Sequence, residues 1–132
     1  MAVLVDSNVL LDILVPDPVW SAVSSAALLD ALDRGRVVIN LVIYAEMSVG
    51  YDSPELADDA IPSAIEREIV PYEAAFLAGK AFARYRRRGG VRRSPLPDFF
   101  IGAHAAVGGY RLLTRDPSRY RTYFPSVPLI AP

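Results

Sequence analysis

Four carboxylates in this chain of 132 residues occupy unfavourable surroundings. Asp6 is the only charged residue among positions 1–11, Glu46 the only one between Arg36 and Asp52, and Asp98 the only one between Arg93 and Arg111. A carboxylate inside an apolar segment is destabilising unless it is paired, hydrogen-bonded or bound to a cation. Asp116 follows the run Leu112-Leu113-Thr114 and has Arg115 beside it, so its isolation is less marked. Each acid alone has an ordinary explanation. Asp98 after Pro97 suits a helix N-cap, and Glu46 suits a solvated helix face. Asp6 suits a strand end that accepts backbone amides, and Asp116 suits a turn opened with Pro117. Taken together, the four suggest cation binding.

The segments that must position these acids alternate between short apolar strands and longer helical patterns. Strands are expected at Ala2–Val5, Val37–Asn40, Ile69–Val70, Leu112–Leu113 and Leu129–Ile130. Helices are expected through Leu10–Leu14, from Trp20 to a Gly35 cap, and from Leu41 to Gly50. Two short helices should open at Ser53-Pro54 and at Ser63, which has Glu66 three residues on. Two more should run from Glu73 to Arg88 and from Asp98 to Val107, each closed by a glycine pair. On the second of these, Asp98, Gly102 and Ala105 share one face, where small residues would allow close approach to the sheet. Such alternation implies an α/β fold with a central parallel sheet and helices on both faces. Sites in such sheets lie beyond the carboxyl ends of the strands. Asp6 and Asp116 fall just past strands, and Glu46 and Asp98 near helix starts that face the same edge. Four acids on one rim repel each other, and a divalent cation relieves that repulsion. Oxygen donors without histidine or cysteine point to magnesium or manganese.

Composition narrows the choice. Hydrophobic residues at 52% against 22% charged are enough for a core and argue against disorder. With no cysteine there is no disulfide framework, thiolate metal site or cysteine nucleophile. The single histidine, His104, excludes histidine-pair acid–base chemistry. It lies six residues past Asp98, about 240° round the helix, so it faces away from the acid and reads as structural. No secretory leader is expected, because Asp6 interrupts the first apolar run. The apolar stretch from Phe99 to Tyr110 is too short to span a bilayer. These features suggest one cytoplasmic domain over residues 1–132. The net charge of −1 conceals a division: residues 1–73 hold thirteen acids and three bases, residues 74–132 eleven bases and two acids. Lys80, Arg84 and Arg87 recur at helical spacing, and Arg88, Arg92 and Arg93 continue the stripe. It could follow an RNA phosphate backbone, dock an acidic partner, or simply be solvated. Phe82, Tyr85, Phe99 and Phe100 read as core.

Four segments together resemble the PIN-domain family, and within it the VapC-type ribonuclease toxins of bacterial toxin–antitoxin pairs. They are Val3-Leu4-Val5-Asp6-Ser7-Asn8-Val9, Tyr44-Ala45-Glu46, Leu96-Pro97-Asp98-Phe99-Phe100-Ile101-Gly102-Ala103-His104-Ala105, and Leu113-Thr114-Arg115-Asp116. The resemblance covers essentially the whole chain in order and spacing. It implies a three-layer α/β/α fold, and it implies that Asp6, Glu46, Asp98 and Asp116 hold one or two magnesium or manganese ions and hydrolyse RNA. Asn8 and Thr114 match positions that support such a site, whereas Asp12 has no counterpart in it. A cognate antitoxin and a homodimer are further implications.

Other functions fit less well. A phosphoacceptor receiver domain would need a lysine beyond a late strand, and the only lysine, Lys80, lies mid-helix. A nucleotide-binding module would need glycine in the first turn, where Asp6-Ser7-Asn8 has none. The remaining rival is a catalytically silent PIN domain that binds RNA or protein.

Overall fold

The computed structural model of the chain describes residues 2–92 and 96–132, so Arg93 at the end of the basic stripe lies outside it. Five strands form one sheet: β1 (Val3–Val5), β2 (Val37–Asn40), β3 (Glu66–Glu68), β4 (Arg111–Leu113) and β5 (Leu129–Ile130). Their spatial order is β3-β2-β1-β4-β5, with every pairing parallel. Leu4, Val5, Val37, Val38, Ile39, Leu112 and Leu113 are fully buried. That burial explains why β1, β2 and most of β4 read as unbroken apolar runs rather than alternating ones.

The helices are α1 (Ser7–Leu14), α2 (Ser21–Arg34), α3 (Leu41–Ser48), α4 (Pro54–Ala60), α5 (Tyr72–Arg87), α6 (Pro97–Gly108) and α7 (Ser118–Tyr123). The chain steps outward from β1 to β3 through α1–α4, then returns past β1 to β4 through α5 and α6. Right-handed crossovers put outward and returning connections on opposite faces, which gives the three-layer α/β/α arrangement. The direction of winding reverses between β1 and β4, so the crevice at their carboxyl ends is the topological switch point. Gly89 (φ 90°) and Gly109 (φ 69°) adopt the left-handed conformation that closes α5 and α6.

Four expectations need correction. The strand expected at Ile69–Val70 lies earlier, at Glu66–Glu68, and Ile69 is 87% exposed. An edge strand pairs on one side only, and charged side chains there discourage further pairing, so β3 has no apolar signature. The helix expected to start at Ser63 is instead a turn, in which the Ile65 amide donates to the Pro62 carbonyl at 3.0 Å. The first helix starts at Ser7 rather than Leu10, because Asp6 caps it. Gly102 on α6 makes room for a neighbour other than the sheet. A Cβ built there falls on the ring of Phe124, which follows α7. That close contact holds α7 against α6 beside the carboxyl edge. Gly102→Ala should therefore destabilise the fold by about 1–3 kcal/mol through overpacking. In urea unfolding the midpoint should fall with the slope unchanged.

Candidate active site

The site starts at the end of β1. Asp6 is 4% exposed and caps α1, accepting the Ser7 amide on Oδ1 at 2.8 Å. Its other oxygen, Oδ2, accepts from Thr114 Oγ1 at 2.9 Å, from Tyr120 Oη at 2.9 Å and from Asn8 Nδ2 at 3.4 Å. Asn8 also donates to Thr114 Oγ1 at 3.3 Å, and its Oδ1 accepts the Arg115 amide at 3.2 Å. Asn8 and Thr114 thus join the ends of the two central strands around one carboxylate. Burial pushes the Asp6 carboxyl above the usual carboxylate range, with Asp98 adding repulsion, and the hydrogen bonds from Tyr120, Thr114 and Ser7 only partly oppose this.

Glu46 is the sixth residue of α3, in its second turn rather than at its start. Asn40 caps that helix through the Ile43 amide at 3.0 Å. The Ser7 hydroxyl donates to Glu46 Oε1 at 2.9 Å and lies 3.5 Å from Asp6 Oδ1. Burial raises the Glu46 pKa, as do Asp6 and Asp98 nearby. Asp98 is not the N-cap of α6. Leu96 holds the cap position, Pro97 enters the first turn, and the Asp98 side chain is left to face the rim. Its Oδ1 accepts from Tyr120 Oη at 3.4 Å and its Oδ2 from Arg119 Nη1 at 3.3 Å. Burial again raises its pKa, Arg119 lowers it, and Asp116 raises it. Asp116 is exposed; its amide donates to Thr114 Oγ1 at 3.1 Å, so its contribution to the rim is electrostatic.

Sequence reasoning missed two residues of this site, both on α7. Tyr120, 1% exposed, bridges Asp6 and Asp98 through its hydroxyl, and burial with the two carboxylates drives its pKa far above the ordinary phenol range. Arg119 is the cation nearest Asp98. A six-residue helix is too short to show periodicity, so nothing in the sequence marked either one. Asp12 belongs to a separate structure: it is 3% exposed, pairs with Arg115 through two bonds of 2.9 Å, and accepts from Ser24 Oγ at 2.7 Å. His104 is fully buried behind the site, with Nδ1 3.1 Å from Asn40 Nδ2 and Nε2 3.0 Å from Glu68 Oε1. In the basic stripe, Arg84 donates to the Tyr123 carbonyl at 2.9 Å and Lys80 lies over the Phe76 ring; Lys80, Arg84 and Arg87 are all exposed. The structure does not bring the stripe into the carboxylate network.

The donors facing the rim are all oxygen, which is the chemistry of a hard cation. Among the described residues, no three acidic or histidine side chains stand at metal-ligating spacing. The hydroxyls of Ser7 and Tyr120 lie between the acids instead.

A family model described as PIN domain matches residues 3–125. No curated protein matches the chain. Among solved structures, the chain is similar to VapBC2 from Rickettsia felis bound to a DNA fragment from its promoter. There the TM-score is 0.76 and identity 16%, covering 99% of this chain and 98% of that one. It is also similar to VapBC-1 from nontypeable Haemophilus influenzae, with TM-score 0.74, identity 18%, and the same two coverages of 99% and 98%. FitAcB from Neisseria gonorrhoeae gives TM-score 0.67 and identity 17%, covering 97% of this chain and 96% of that one.

The geometry generates two predictions. Asp6, Glu46 and Asp98 are all shifted upward, so between the ordinary carboxylate range and their raised values the folded protein binds more protons than the unfolded chain. Stability should therefore fall as pH rises through that window. Asp58 and Glu68 are shifted downward and act below it. In EDTA, the thermal midpoint should rise as pH is lowered from 7 toward about 4.5, where model carboxylates begin to protonate. Asp6→Asn should flatten the profile. Tyr120→Phe leaves two carboxylates without a shared donor and should cost about 1–3 kcal/mol at pH 7. That loss should shrink at pH 5, as measured by parallel denaturant titrations.

Proposed function

This chain belongs to the PIN-domain family, and on that footing we propose that it is a metal-dependent endoribonuclease acting as the toxin of a toxin–antitoxin pair. The observation that carries this reading is the carboxylate rim. Asp6, Glu46 and Asp98, from three separate segments, converge at the switch point and are held mainly by neutral donors that leave their charge in place. Asp6, Glu46, Asp98 and Asp116 are the ligands this reading assigns. When bound, magnesium or manganese supplies Lewis acidity at the phosphoryl oxygens and activates water as the nucleophile. Water adds to phosphorus and the bond to the 3′-oxygen breaks, leaving a 5′-phosphate and a 3′-hydroxyl. Thr114 and Asn8 keep Asp6 oriented through the step, and Arg119 offsets negative charge beside Asp98.

One similar solved structure is named as a toxin–antitoxin complex, from Klebsiella pneumoniae, and others are named VapBC, which supports a cognate antitoxin for this chain. The exposed Leu41, Ile69, Tyr72 and Phe76 offer an apolar surface for a homodimer. No helix among the described residues is long and apolar enough to cross a membrane. An RNA substrate implies action in the cytoplasm. The second reading, a silent PIN domain that binds RNA or protein, is favoured by the Ser7 and Tyr120 hydroxyls between the acids, with no three acids at metal-ligating spacing among the described residues.

Purified protein incubated with total RNA and manganese should separate the two. We expect 5′-phosphate and 3′-hydroxyl ends, loss of cleavage in EDTA, and recovery on adding magnesium or manganese. Asp98→Asn should reduce cleavage by orders of magnitude while the fold persists. His104→Gln should lower stability yet keep metal-dependent cutting. Cyclic 2′,3′-phosphate ends, or full activity in EDTA, would overturn the mechanism.

A further inference from the structure

Beside the carboxylate rim, α5 and α7 enclose an open cleft of about 250 Å³ lined by Tyr85, Ser118, Arg119, Thr122 and Tyr123. None of these lining residues is acidic, although Asp98 lies immediately alongside. The change of chemistry is abrupt. On one side of the Arg119 guanidinium stand raised-pKa acids; on the other are hydroxyls, phenol rings and more arginines.

Arg119 is held in a way that leaves it donors to use. Its Nη1 reaches Asp98 Oδ2 at 3.3 Å, longer than the 2.7–2.9 Å typical of charge-assisted bonds, and it uses one donor of the five on the guanidinium. The guanidinium carbon lies 6.0 Å from the centroid of the Tyr85 ring and 5.8 Å from that of Phe99, at the reach of a cation–π contact with each. Its side chain is 37% exposed, enough to meet a ligand. Two further arginines converge on the far wall. Arg84 donates to the Tyr123 carbonyl at 2.9 Å, and the Arg88 guanidinium lies over the Tyr123 ring at 5.8 Å. Tyr123, which lines the cleft, thus has an arginine on its backbone and another on its ring face.

We propose that this cleft is the subsite for a phosphate of single-stranded RNA next to the one being cut. Arg119 contacts that phosphate, and Arg88 continues the track. The assignment of RNA rests on the nuclease reading above. A rim of carboxylates repels a polyanion, so a strand can be held at the acids only if cations beside them bind its flanking phosphates. Arginine forks match phosphate geometry; here Arg88 lies over an aromatic ring, and Arg119, paired with Asp98 through one long bond, has further donors for a phosphate. The helical stripe of Lys80, Arg84 and Arg87 does not define the track by itself, because Arg84 is committed to the Tyr123 carbonyl.

The test is fluorescence anisotropy of a short labelled single-stranded RNA in EDTA, where binding is read without cutting. Arg119→Gln and Arg88→Gln should each weaken binding about tenfold, equivalent to about 1.4 kcal/mol. Each should also flatten the slope of log affinity against log salt by about 0.7 for every phosphate that is no longer neutralised. Arg119→Lys should keep the salt slope but lose affinity, because the charge stays and the fork goes. Arg34→Gln on α2 should bind as wild type, and thermal midpoints should show that all the variants fold. If Arg119→Gln and Arg88→Gln bind RNA with wild-type affinity and slope while the protein cuts RNA with manganese, the cleft proposal falls and the nuclease reading stands. If both variants lose binding but no divalent cation produces cutting, the cleft is an RNA-binding site, and the nuclease reading falls together with the cleft's place beside a cut phosphate. If wild type ignores the RNA but binds a glutamate-rich peptide in an Arg119-dependent manner, the cleft serves a protein partner and the proposal is overturned.

Discussion

Keeping one carboxylate out of water organises the functional end of this molecule. Asp6 is enclosed by donors from the first turn of α1, the end of β4 and α7, and each of those segments is fixed partly by that obligation. A buried carboxylate lacking these bonds would be strongly destabilising. Its donors differ in kind from those of Asp12, the other buried acid, which a guanidinium neutralises. Asp6 is surrounded by an amide, hydroxyls, a carboxamide and a phenol, all neutral. Such donors satisfy its lone pairs without cancelling its charge, so the negative potential of the rim survives. Glu46 and Asp98 then add to that potential; burial raises the pKa of all three acids, and repulsion from neighbouring carboxylates raises it further.

His104 supports the same edge from behind. It joins Asn40, which caps α3 and so aims Glu46, to Glu68 on the edge strand, where the Tyr110 hydroxyl also donates. The α6 helix therefore serves both sides of the site, with Asp98 in its first turn and His104 on another face. Behind Asp98, the aromatic cluster of Phe82, Tyr85, Phe99, Tyr123 and Phe124 packs α5, α6 and the end of α7 together.

The parts legible from sequence were those governed by local rules. β1, β2 and β4 are covered on both faces and read as apolar runs; α5 and α6 announced their ends through glycine. The four acids stood out because charges are scarce around them. His104 could be set apart from Asp98 by the helical repeat alone. What stayed hidden depends on tertiary proximity. β3 is written in charged residues because it is an edge, and with Leu96 at the cap and Pro97 opening the helix, Asp98 lies two positions past the cap. Tyr120 and Arg119 sit in a short arginine- and tyrosine-rich segment that looks like ordinary surface until folding lays it against the rim.

The placement of β1 at the centre of the sheet has a consequence for synthesis. Its outer neighbour, β4, begins at Arg111, and the two donors that complete Asp6 come from Thr114 and Tyr120. During translation β1 waits until β4 has been made before its second edge is covered, since a contact spanning that much sequence closes late. A polypeptide stopped anywhere before β4 has Asp6 with its Ser7 and Asn8 donors but without Thr114 and Tyr120. The rim is thus assembled only after α7 has been made, so no shorter nascent chain carries a finished site.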